Sequence, residues 1–183
     1  MTEARRPFNE RMAAQHALLA ATRRVSGALP TFSKWLLAGF GAAFTLIVAN
    51  IDTISKFVGV SHIRFGLLLF LVSLCLAIVS TYLGTIVNAA IAAQEDGEAL
   101  GQRIIESEQP FNLELFTSEY ERGLFPPMRW VAHSAMAKAK SGDVVAGARM
   151  IAKLSQVQAL LVVAQGILAV FAAGALAVGL KAP

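Results

Sequence analysis

FGLLLFLVSLCLAIVSTYLGTIVNAAIAAQ, residues 65 to 94, is the stretch that decides the fold. Its thirty residues contain no Asp, Glu, Lys or Arg. At about 1.5 Å of rise per residue, such a helix is roughly 45 Å long. A hydrocarbon core is about 30 Å thick. The segment is therefore long enough to cross a bilayer and to continue beyond it. Its first half, to Val79, is lipid-like. Its second half carries Ser80, Thr81, Tyr82, Thr85 and Asn88 among Gly84, Ala89, Ala90, Ala92 and Ala93. Thr81, Thr85 and Asn88 share one helical stripe. In a membrane helix such a stripe faces protein or water rather than lipid.

Composition agrees with a membrane protein. Of the 183 residues, 56% are hydrophobic and 15% charged, against about 25% charged in soluble domains. The mean hydropathy is +0.59. The net charge of +4 is spread along the chain and gives no nucleic-acid patch. Its N-terminal part precedes a membrane span, where basic residues set topology or touch anionic lipid. The single cysteine, Cys75, excludes an internal disulfide and a cysteine metal site. It reads as a small buried apolar residue. No cleavable signal peptide is expected, because the first apolar run starts only near Trp35.

Upstream, residues 8 to 28 favour a helix, with Pro7 at its start, Asn9 or Thr2 as cap, and Gly27 and Pro30 ending it. Trp35 to Ile51 is the first span: seventeen uncharged residues between Lys34 and Asp52. Trp35 beside Lys34 is an interfacial anchor. Ala38, Gly39, Ala42 and Ala43 let another helix approach closely. The 13-residue connector from Asp52 to Arg64 is short enough to imply an antiparallel hairpin, with His62 as an interfacial residue.

Downstream, Glu95, Asp96 and Glu98 continue the helix, Ile104 and Ile105 give it an apolar face, and Pro110 stops it. Two further helices are expected, from about Asn112 to Arg122 and from Met128 to Lys140. Ser141, Gly142 and Asp143 form a turn. Phe111, Phe116, Tyr120, Phe125 and Trp130 are five of the fifteen aromatics and read as the core of a small helical subdomain. Leu154 to Leu180 gives twenty-seven uncharged residues and a last span. Ala169, Ala173 and Ala177 form a small-residue stripe on it, suited to close helix contacts.

The spacing thus predicts an all-α integral membrane protein with three transmembrane helices. The expected division is a cytoplasmic N-terminal helix (1–34), a transmembrane hairpin (35–94, spans 35–51 and 65–94), a cytoplasmic helical insert between spans two and three (95–153), and a third span with a short tail (154–183). Six basic residues precede span one, two lie in the connector, seven in the insert and one in the tail. The positive-inside rule then puts the N-terminus and insert in the cytoplasm and the C-terminus outside. A bacterial inner membrane is the expected setting, ahead of a mitochondrial inner membrane.

No catalytic, cofactor-binding or metal residues are predicted. HExxH, G-x-S-x-G, P-loop and EF-hand patterns are absent. His16, His62 and His133 are far apart in sequence. No ionisable group interrupts a span, as a transport path needs. The layout of basic helix, membrane hairpin and cytoplasmic helices resembles small membrane effector modules of bacterial defence systems, with a third span added. The expected role is an interaction or scaffold protein, either a homo-oligomer or an accessory subunit, with an oligomeric pore as the alternative. Expected partners are the lipid bilayer and either further copies or other membrane subunits. Thr81, Thr85, Asn88, Ala169, Ala173 and Ala177 are the helix-packing or pore-facing candidates.

Overall fold

A computed structural model describes residues 10–107, 111–126, 128–143 and 145–180. Among them the chain forms six helices: α1 (Glu10–Ala49), α2 (Ile51–Phe57), α3 (Val60–Ser107), α4 (Leu113–Arg122), α5 (Met128–Lys140) and α6 (Ala146–Val178). α1, α3 and α6 are long and apolar enough to cross a membrane. The expected caps at Thr2 and Asn9, the start at Pro7 and the stop at Pro110 lie outside the described residues.

One expectation is corrected at once. Gly27 and Pro30 do not end a helix; α1 runs through both for 40 residues, so the N-terminal helix and the first span are one element. Proline removes one backbone hydrogen bond and ends helices in water. In a spanning helix the surroundings tolerate it, because other backbone conformations would lose more partners. Here Pro30 also lies between Ser26 and Ser33, both held by α6.

The chain divides into two compact units, Met1–Arg24 with Ile86–Ser155 and Val25–Thr85 with Gln156–Pro183. The second unit takes its height from α6, whose residues 156–178 extend about 34 Å at helical rise. That length is a hydrocarbon core with a small margin. Inward positions recur at three and four residues. On α3 they are Ile63, Gly66, Ser73, Ala77, Ser80 and Gly84; on α6 they are Gln158, Val162, Gln165, Ala169 and Ala172, all buried. A period of 3.5 keeps one seam on neighbours that cross at about 20°. Phe44 and Phe70 stack across the α1–α3 pair with ring centroids 4.6 Å apart.

At the far end of this unit, the Gly59 amide donates to the Gly179 carbonyl (2.9 Å). Val58 and Leu180 form an isolated antiparallel bridge. Gly179 allows this approach: a Cβ there would lie 2.5 Å from the His62 Cβ. His62 is thus a packing neighbour of the end of α6.

The first unit is built differently. Leu19, Val87, Ile91, Ala148 and Ile151 form an apolar core, with Leu18, Ala90, Val145 and Leu154 packed on it. Arg23 pairs with Glu95, and Gln15 Nε2 donates to Glu98 (2.7 Å). Both partners of the ion pair are about half exposed, so solvent screening leaves it worth about 0–1 kcal/mol. α4 begins where Asn112 accepts from the Leu115 amide (3.0 Å), an N-cap. Its start and that of α5 fall where the sequence puts them. The turn after α5 places Gly142 at φ 92°.

Two further expectations are corrected. The aromatics of the insert do not form a core. Phe111, Phe116 and Tyr120 make a short ladder, but Phe125 is 87% exposed and Trp130 68%. Two short helices offer too little surface to cover five rings. Cys75 is exposed on α3, because it falls outside the three-four seam.

Packing in the first unit is testable. Ile91→Ala, at a site 2% exposed, is expected to lower stability by about 2–4 kcal/mol. Val79→Ala, on the outer face of α3, is expected to change it little. Denaturant titration in detergent measures both, and equal effects would contradict this core.

Candidate functional site

Six side chains spaced by seven residues define the interior of the membrane-sized unit: Ser26 and Ser33 on α1, Ser73 and Ser80 on α3, Gln158 and Gln165 on α6. All six are at most 2% exposed. Seven residues are two turns of a supercoiled helix, so each pair projects from one face at two levels. The two levels form polar layers inside an otherwise apolar seam.

In one layer the Ser33 hydroxyl donates to Gln165 Oε1 (2.8 Å). Gln165 Nε2 donates back to the Ser33 carbonyl (3.4 Å), and the Ser73 hydroxyl donates to the Gln165 carbonyl (3.0 Å). In the other layer the Ser26 hydroxyl donates to Gln158 Oε1 (2.7 Å), and the Ser80 hydroxyl to the Gln158 carbonyl (3.5 Å). The pairings fix direction. Ser26 and Ser33 rise with Gln158 and Gln165, so α1 and α6 are parallel. Ser80 and Ser73 descend against them, so α3 is antiparallel to both.

The layers are not equivalent. Gln158 Nε2 is buried without a hydrogen-bond partner, whereas both amide atoms of Gln165 are engaged. A buried, unpaired donor costs about 1–3 kcal/mol. Gly84 lies against it: a Cβ at this position would come 2.6 Å from Gln158 Nε2 and 3.3 Å from Cδ. Only glycine leaves room for the Gln158 side chain in its present place.

The positions singled out from sequence sit elsewhere. Thr81, Thr85 and Asn88 are exposed on the outer surface of α3. The Thr81 hydroxyl donates to the Ala77 carbonyl (2.8 Å) and that of Thr85 to the Thr81 carbonyl (3.1 Å), so both bond within their own helix. On α6, Ala169 is buried in the seam while Ala173 and Ala177 are exposed. Ala38, Gly39, Ala42 and Ala43 all face outward on α1. Phe32, Trp35, Leu36 and Phe40 line a shallow groove with Gly39 and Ala43.

Sequence reading missed the Ser–Gln layers. The usable signal was the repeated seven-residue spacing, one pair per long helix, among residues that look incidental singly.

Chemically, the arrangement holds helices together. Glu95 and Glu98 face Arg23 and Gln15 of α1. Among the described residues no three His, Cys, Asp or Glu side chains group as metal ligands. His133 Nδ1 lies 3.0 Å from Glu121 Oε1, a surface pair between α4 and α5. No family profile, curated protein or solved structure matches this chain.

The asymmetry of the layers predicts an asymmetry of substitutions. Gln165→Leu is expected to destabilise the bundle by about 1 kcal/mol, since it removes two interhelical side-chain bonds at about 0.6 kcal/mol each. Gln158→Leu is expected to be near neutral, because it removes an unpaired donor together with one bond. Steric trapping or thermal melts in detergent compare them, and a larger loss at Gln158 would contradict the assignment. Gly84→Ala should cost about 1–3 kcal/mol by overpacking and lose most of that cost in a Gln158→Ala background. Equal costs in both backgrounds would show that the Gly84–Gln158 contact is not the constraint.

Proposed function

We propose that this chain is a multi-pass membrane interaction or scaffold protein, working as a homo-oligomer or as an accessory subunit of a larger membrane complex. The observation that carries this reading is the division of labour on the long helices. The seam polar groups bond within the chain, which leaves the outward small residues of α1 for contacts beyond it. Ala38, Gly39, Ala42 and Ala43 lie on that surface, and a Cβ at Gly39 would meet nothing within 4 Å. Small residues at four-residue spacing let a further helix approach to backbone distance. Ala173 and Ala177 offer a second such surface on α6.

The setting we propose is the bacterial inner membrane, with the N-terminus and the α4–α5 insert cytoplasmic and the C-terminus outside. The six basic residues within positions 1–34 and the seven within positions 95–153, against two in the connector and one in the tail, support it. No catalytic residue is assigned.

A pore is the second reading. The seam is packed shut, with Gln158 at 0% and Gln165 at 1% exposure, so a path would have to form between copies. Thr81, Thr85 and Asn88, exposed together on α3, would line it.

Cysteine crosslinking in native membranes tests the first reading. With Cys75→Ser as background, Gly39→Cys and Ala42→Cys are expected to give crosslinked species, and Val48→Cys, exposed on the opposite side of α1, few. Monomer alone at every position would defeat the proposal. Planar-bilayer recording tests the second. Steady conductance that changes with Thr85→Val and Asn88→Leu would move the assignment to the pore.

A further inference from the structure

The insert exposes an apolar and basic surface that the rest of its own unit does not cover. Phe125, between α4 and α5, and Trp130, in the first turn of α5, stand mostly free of the protein. Arg129 is exposed between them and has no ion-pair partner among the described residues. α5 continues the charge. Its thirteen residues hold Arg129, Lys138 and Lys140 and no Asp or Glu. Lys138 and Lys140 are exposed as well.

Exposed Trp and Phe beside Arg and Lys, without acidic neighbours on the same helix, match one kind of surface. Amphipathic aromatics settle at the headgroup level of a bilayer. Each basic side chain near an anionic leaflet adds attraction that falls off within a Debye length. The insert is tied at both ends to helices long and apolar enough to span a membrane, so this chain brings a bilayer with it. A second copy is a poorer fit, since two α5 helices would set like charges together.

We propose that the α4–α5 turn and α5 dock on the anionic headgroup surface of a lipid bilayer, with Phe125 and Trp130 as interfacial anchors and Arg129, Lys138 and Lys140 as the charge contacts. The docking rests on the reading of α1, α3 and α6 as spans. Loss of the protein from the membrane fraction would defeat that reading; a water-exposed Trp130 in a membrane-embedded protein would defeat only the docking.

The chain has two tryptophans, so Trp35→Phe leaves Trp130 as the sole reporter in the full-length protein. The variant is placed in nanodiscs of neutral phosphatidylcholine, with or without about 30% anionic phosphatidylglycerol. In anionic discs we expect a blue-shifted emission, quenching by brominated lipid, and at least about a twofold fall in acrylamide quenching. Salt at about 1 M, where the screening length is about 3 Å, should remove most of the difference between the lipids. So should the triple variant Arg129→Gln, Lys138→Gln, Lys140→Gln, whose unchanged helical circular dichroism reports that it folds. Strong acrylamide quenching in both lipids overturns the proposal. A blue shift without quenching by brominated lipid also overturns it, and points to a protein surface covering Trp130.

Discussion

A glutamine amide inside a membrane-sized bundle must find partners on other helices, and the rest of this structure follows from that need. Gln158 and Gln165 stand seven residues apart on α6. Each meets a serine hydroxyl from α1 at its amide and one from α3 at its backbone carbonyl. Shifting any helix by one, three or four residues would unpair both layers. Shifting it by seven would still unpair one. Polar contacts between membrane helices contribute modestly each, about 0.6 kcal/mol on average. Their larger effect is to exclude registers that apolar packing alone would accept, as a single buried polar residue does in a coiled coil.

The two units use opposite chemistry for the same task. Around Leu19, Val87, Ile91, Ala148 and Ile151, apolar side chains are inside, and charged groups such as Arg23 and Glu95 are outside. That is the ordering water imposes. In the other unit the inside mixes Phe44, Ile63 and Val162 with serine, glutamine, glycine and alanine, while Leu46, Leu68, Leu71 and Ile78 are exposed. Leucine gains little by leaving lipid for a protein interior, so small residues and hydrogen bonds take over the seam. The change occurs along uninterrupted helices, where the three-four spacing of inward positions persists and the residue types do not.

The three long apolar segments were legible from the absence of charge, and the α4 and α5 limits from caps and breakers such as Asn112 and Gly123. α1 was not legible as one helix. Gly27 and Pro30 are stop signals in water, and the sequence does not state that they lie where an ended helix would strand its backbone. The polar stripe of Thr81, Thr85 and Asn88 drew attention because its members cluster. Ser73 and Ser80 are two isolated hydroxyls whose meaning depends on Gln165 and Gln158, 92 and 78 residues away. Which of two stripes on α3 meets a neighbour is decided by what the other helices carry. Phe125 and Trp130 mislead for a related reason: helical spacing identifies an apolar face, and only the partner elements decide whether it is covered.

The placement of both glutamines on α6 has a consequence for biogenesis. α1 and α3 leave the ribosome first and enter the membrane as a pair whose four seam serines have no amide to meet. Each of those hydroxyls can fold back onto its own helix meanwhile, as Thr81 and Thr85 do. Until α6 is in place, none of the four seam serines has its interhelical partner, since all four bond to α6. The polar register of the bundle is therefore set by its final segment.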